Sequence, residues 1–286
     1  MVRPARIGLA VVAFLYFASA VGDVPLWFQS GAPASSGQLG DFFREAGLDD
    51  DARWMWSPLF LWDSLFAGTS LAESAFVYRV YLLVGCLWSL LVLAFSIPSI
   101  ATKFPNRIRG NWVCILLWIW FVGWANRIVL LAGIVEPVLS LSLAAMAIAP
   151  LGNDRITWRS HFARRLASIQ GTMVMVATTA TMLAGNVWWN GTGAYALVAP
   201  IENRLFDVRD TFFENPFVFE SVNAFLLLAL PLGVVLAWSR RRNRLGVAFI
   251  CSWALLVALL SMEFLYAMTI AVIATTLGND DIPAPD

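Results

Sequence analysis

The chain has 286 residues, of which 59% are apolar and 13% charged, and its 19 basic and 19 acidic side chains balance. A soluble domain carries about 25% charged and roughly 45–50% apolar residues, so a soluble fold is excluded and the apolar excess must face hydrocarbon. Zero net charge does not advertise a nucleic-acid partner. Cys86, Cys114 and Cys251 all sit in apolar blocks. An odd count without a paired motif gives no disulfide framework and no metal site, so they read as small packing residues.

The expected fold class is an all-α integral membrane protein with about seven transmembrane helices. The predicted spans are 7–28, 75–97, 112–134, 137–151, 167–185, 217–238 and 247–277. Several approach the ~20 residues that a helix needs to cross hydrocarbon. The run 137–151 is short and ends at Pro150–Gly152, as a tilted or re-entrant segment would. Helices are favoured because lipid leaves no free partner for backbone polar groups, and the runs lack the alternation of a β-barrel. The basic start, the run Ile7–Phe17 and Ala18–Ser19–Ala20 also resemble a cleavable signal peptide. Cleavage of 1–20 would leave six spans, although the apolar resumption at Val24–Phe28 favours a retained helix.

Arg3 and Arg6 precede the first span; Lys103, Arg107 and Arg109 fill the second connection. Arg155, Arg159, Arg164 and Arg165 fill the fourth, and Arg240, Arg241, Arg242 and Arg244 the sixth. These are 13 of the 19 Lys and Arg residues. The opposite connections hold Asp41, Glu45, Asp49, Asp50, Asp51, Asp63 and Glu73, then Glu202, Asp207, Asp210 and Glu214. Excess Lys and Arg mark the cytoplasmic side, so the expectation is a bacterial inner-membrane protein with its N-terminus inside and C-terminus outside. One membrane domain spans 1–280, followed by an acidic outer tail, 281–286. The outer segments 29–73 and 186–216 mix acids with aromatics such as Trp54, Trp56, Trp62, Trp188, Trp189, Phe206, Phe212 and Phe213. That mixture suits helices lying at the outer interface, either roofing a cavity or anchoring in lipid.

Ionisable groups inside the runs are Asp23, Arg79, Arg127, Glu136, Glu220 and Glu263. A charge at mid-bilayer costs ~2.5–3.5 kcal/mol on insertion scales, so such groups face protein or water. Asp23, Arg79 and Glu220 lie near span ends, where snorkelling accounts for them. Glu136, before Pro137, caps a helix or joins a cavity. Arg127 and Glu263 lie deeper, with Asn126 and Gln170 as further polar groups. The only histidine, His161, and the only lysine, Lys103, fall in basic connections. No phosphate loop, metal cluster or nucleophile elbow is present.

The stretch Arg165–Gln170, with Met182–Leu183–Ala184–Gly185–Asn186–Val187–Trp188–Trp189–Asn190–Gly191–Thr192, resembles the HTTM (horizontally transferred transmembrane) family. Trp124–Ala125–Asn126–Arg127 through Glu136 to Ala149–Pro150 is similar to the same family, which includes the vitamin K-dependent γ-glutamyl carboxylases. The resemblance implies a multi-helix membrane fold and a reduced quinone as cofactor; with the polar groups inside the runs it gives Asn126, Arg127, Glu136, Gln170, Trp188, Gly191 and Glu263 as candidate cavity residues. In the carboxylases a lysine stands where this chain has Met182, and methionine cannot relay a proton. The resulting expectation is a scaffold that binds a quinone or lipid between its helices without the usual carboxylase chemistry. The alternatives are a quinone-dependent carboxylase or epoxidase with altered residues, and a structural or transport subunit. Expected partners are membrane lipid, a lipophilic small molecule or a membrane protein, and no nucleic acid.

Overall fold

Apolar runs in lipid leave the backbone to satisfy its own N–H and C=O groups, and the helix does this within one segment. The computed structural model describes residues 2–28, 32–45, 47, 56–66, 69, 71, 74–101, 111–149, 157–199, 207–239, 241–261 and 263–277, and no strand occurs among them. The expectations for Lys103, Arg107, Arg109, Pro150–Gly152, Arg155, Arg240, Asp49–Asp51, Trp54, Glu73, Glu202, Phe206 and the tail 281–286 lie outside the described residues, as do the side chains of Phe212 and Phe213.

The helices in order are α1 (Val2–Phe28), α2 (Ser36–Glu45), α3 (Pro58–Leu65), α4 (Ala75–Ser96), α5 (Pro98–Ala101), α6 (Trp112–Arg127) and α7 (Val135–Ile148). They continue as α8 (Trp158–Ala184), α9 (Asn186–Trp189), α10 (Gly193–Val198), α11 (Arg209–Glu214), α12 (Pro216–Ala237), α13 (Asn243–Leu260) and α14 (Phe264–Ala274). Five of these, α1, α4, α8, α12 and α13, are long and apolar enough to cross a membrane; α6, α7 and α14 are shorter and apolar.

Two expected spans change shape. The run 112–134 is helical only to Arg127, and the following turn carries the chain to α7. The run 247–277 is two helices, one ending at Leu260 and the next beginning at Phe264, and not the one continuous helix expected there. Ser261 Oγ accepts from the Glu263 N–H, a local bond that competes with helix continuation. Arg159, His161, Arg164 and Arg165 stand on the first turns of α8 rather than in a loop.

The surface of α4 shows what its surroundings are. Leu83, Leu87 and Leu90 are exposed along one stripe, while Tyr81, Gly85 and Ser89 are buried. A water-soluble helix would show the reverse; small and polar residues at helix contacts with leucines outward suit lipid. The buried hydroxyls are satisfied locally, Ser89 donating to the Gly85 carbonyl, Ser96 to Val92 and Ser142 to Val138.

The chain divides into two compact units, Arg6–Ser160 and His161–Asp286 with Met1–Ala5. Within the first, Arg6 Nη2 donates to Ala149 O at 3.0 Å, and the Asn111 amide donates to Ala147 O. The start of α1, the start of α6 and the end of α7 therefore share one end of that unit. Phe28, Tyr78 and Arg127 gather at the other. Helix α1 meets α4 through the Phe17 ring, which lies over Gly85 where an added Cβ would come within 2.8 Å of it. Helices α4 and α6 are stitched reciprocally: Tyr81 OH donates to Trp120 O and Trp120 Nε1 to Tyr81 O, each at 2.9 Å, beneath stacked rings.

Within the second unit, α12 and α13 form a hairpin in which a Cβ on Gly246 would collide with the Ala237 backbone. Helix α14 runs antiparallel to α8. Thr276 O accepts from Arg164 Nε and Ser168 Oγ, a Cβ on Gly171 would strike Ile273, and Thr178 Oγ1 meets Tyr266 OH at 2.7 Å. Asn243 Nδ2 donates both to Ala237 O at 2.6 Å and to Leu277 O at 3.2 Å. Leu277 thus ends beside the α12–α13 turn and the start of α8, where Arg164, Arg165, Arg241, Arg242 and Arg244 also stand.

Candidate functional site

Arginine at the end of an apolar helix needs partners, and Arg127 has them. It is fully buried. Its Nε donates to Asp63 Oδ2 at 3.1 Å, Nη1 to Ala34 O at 2.6 Å and Nη2 to Tyr78 OH at 2.8 Å. Tyr78 OH also lies 2.9 Å from Asp63 Oδ1, closing a triangle of three side chains. The guanidinium sits within 5.0–5.7 Å of the Phe28, Phe60 and Tyr78 ring centres, where cation–π attraction adds to the ion pair. One residue earlier in the chain, Asn126 Nδ2 donates to Trp56 O at 2.8 Å. Both residues therefore hold α3 and the turn at Ala34 onto the ends of α1, α4 and α6. Helix α3 reaches them because Ser57 caps its first turn and Pro58 occupies the first helical position.

Glu136 forms a second cluster in the same unit. It lies in the first turn of α7, buried, where its Oε1 accepts from Tyr16 OH at 2.6 Å and its Oε2 from Gly133 N–H at 2.7 Å. The carboxylate closes the free amide of the α6–α7 turn, as an acid at a helix N-terminus can. Tyr16 stands ten residues along α1 from Arg6, or ~15 Å at 1.5 Å per residue, so the cluster lies well inside the helical bundle. Trp124 is fully buried, its ring beside those of Trp27, Phe28 and Tyr81.

The other candidates belong to the second unit. Trp188 packs its ring on Gly193, and its carbonyl accepts from Asn223 Nδ2 at 3.1 Å while Asn223 Oδ1 accepts from Ala194 N–H. Gly191, at φ +77°, makes the turn between them in a conformation that favours glycine. Buried Asn223 thus ties α9 and α10 to α12. Gln170 is half-buried on α8. Glu263 is exposed at the N-cap of α14, in the α13–α14 turn rather than within a continuous span. Met182 is buried near the end of α8. Asp23, Arg79 and Glu220 are exposed on their helices.

Asn126, Arg127 and Glu136 thus share one unit, and Gln170, Trp188, Gly191 and Glu263 the other. Asp63, Tyr78, Tyr16 and Asn223 escaped the sequence reading. Asp63 looked like one more outer acid, and a tyrosine or asparagine in an apolar run carries no signal of its partner.

An all-α fold with five helices of membrane-crossing length and outward leucines defines the class as a multi-pass membrane protein. No family model matches the chain, and neither a curated protein nor a solved structure matches it.

Proposed function

We propose that this is a multi-pass inner-membrane protein of the HTTM type that holds a lipophilic small molecule, a quinone or a lipid, between its helices. The observation that carries it is the Tyr16–Glu136 cluster, a buried carboxylate beside a helix break inside an apolar bundle. Broken helices at membrane depth belong where protein or a binding cavity surrounds them. Met182 at the position of the carboxylase lysine argues for a scaffold without that chemistry, and the family reading rests on the motif order around Arg127 and Met182 alone. On this reading the chain makes eight helical traverses, four in each unit, with α7 (~21 Å) and α14 (~17 Å) too short to cross ~30 Å of hydrocarbon unaided. The arginine-rich end of each unit lies in the cytoplasm by the positive-inside rule. On this reading the N-terminus and Leu277 both lie inside.

Purification in mild detergent followed by lipid extraction and mass spectrometry tests the binding proposal. The expected result is an enriched quinone or lipid at roughly one per chain. Protein that carries none, and takes up none when quinone or lipid is supplied, contradicts it.

A further inference from the structure

We infer that the arginine-rich end of the second unit is a docking surface for an anionic phospholipid, whose phosphate is held by Arg165, Arg241, Arg242 and Arg244. This rests on the membrane class of the protein and not on the lipophile-binding reading above. The last turn of α14 assembles the surface. Thr276 O accepts from Arg164 Nε at 3.0 Å, and Leu277 O, one residue on, accepts from Asn243 Nδ2 at 3.2 Å. Two neighbouring carbonyls thus draw together the start of α8 and the α12–α13 turn, which are far apart in the chain. The Trp238 indole N–H donates to Thr172 Oγ1 at 2.9 Å and ties the end of α12 to α8.

Those bonds use one arginine and one asparagine. Arg165, Arg241, Arg242 and Arg244 are exposed around them and make no hydrogen bond or ion pair among the described residues. The described acids of the unit stand elsewhere. Asp207, Asp210, Glu214 and Glu220 lie at or before the start of α12, and Glu263 follows the end of α13, ~25 Å away along those helices. Like charges gathered without an acid attract an anion. Orientation alone does not ask for this, because excess cations set the inside face wherever they fall along a connection.

The surroundings select the anion. Leu166, Trp238 and Leu245 are exposed, and Leu166 and Leu245 directly follow Arg165 and Arg244. A free phosphate gains nothing from apolar neighbours. A phospholipid covers them with its acyl chains while its phosphate meets the guanidinium groups, which match it with paired N–H donors. A zwitterionic head group brings its own cation and loses part of that attraction.

The full chain, stripped of lipid in detergent, is titrated with phosphatidylglycerol or with phosphatidylcholine of the same acyl chains, and bound lipid is read by native mass spectrometry. Phosphatidylglycerol is expected to bind at least about tenfold more tightly. Equal binding of the two by the unmodified chain overturns the surface, as it would if the acids that follow Leu277 in the sequence (Asp280, Asp281 and Asp286) took the arginines instead. The triple variant Arg241→Gln/Arg242→Gln/Arg244→Gln is expected to lose most of the preference. Arg79→Gln, at an exposed arginine of α4 in the other unit, is expected to keep it. A preference that survives the triple change, or falls equally in Arg79→Gln, overturns the assignment. Inorganic phosphate that displaces phosphatidylglycerol at equal concentration makes this a site for a soluble anion and overturns the lipid.

Discussion

Arg127 shows how much a single residue can do at the end of an apolar helix. Fully buried, it draws Asp63, Tyr78 and the Ala34 carbonyl together. Removing one partner leaves the other charge stranded. Asp63→Asn is therefore expected to cost about 3–5 kcal/mol, read as a lower unfolding midpoint in detergent. The double variant Asp63→Leu/Arg127→Met, which removes both charges, is expected to recover part of that loss, because an apolar pair incurs no ionic desolvation. In the other unit, Asn223→Ala strands the Ala194 N–H and the Trp188 carbonyl, and is expected to cost about 1–3 kcal/mol by the same measurement. At this scale the sequence was half legible. A buried arginine in an apolar run announces itself, but its carboxylate stands 64 positions away among other acids and could not be told from them. Glu136 was read as a possible cap; its carboxylate accepts instead from Gly133 N–H, in the turn before α7, and Tyr16, its other partner, carried no mark.

Helices in lipid approach one another where side chains are smallest. The α12–α13 hairpin depends on Gly246, whose Cβ position is filled by Ala237 backbone, with Gly233 packed against Ile250. Gly246→Leu is expected to part the two helices and destabilise the protein by about 1–3 kcal/mol or more, with greater protease sensitivity at Ser239–Arg242 as the check. Gly246→Ala, which adds one methyl, should produce the same change in smaller degree. Most elements could be placed from the sequence, because apolar length reports directly on a helix in hydrocarbon. The α13–α14 break was missed for a physical reason. The sequence Ser261–Met262–Glu263 between the two helices holds no glycine or proline and barely lowers the hydropathy of the run, so Glu263 looked like a charge within a span. The early end of α6 at Arg127 was hidden in the same way by the apolar turn that follows it.

At the scale of the whole molecule, that break decides the side proposed for Leu277. A single crossing at 247–277 would carry it outward; a hairpin returns it to the arginine-rich end, where Leu277 O receives the Asn243 amide. The proposed pattern, four traverses in each unit, is what the basic connections require if each returns to the cytoplasm. Single cysteines placed at Ser239 and at Thr275, in a chain cleared of Cys86, Cys114 and Cys251, and labelled from either face with a membrane-impermeant maleimide, test this most directly. Both positions are expected to react only from the cytoplasmic face. Labelling of Thr275→Cys from the outer face, with Ser239→Cys still cytoplasmic, would contradict the account and restore a single final crossing.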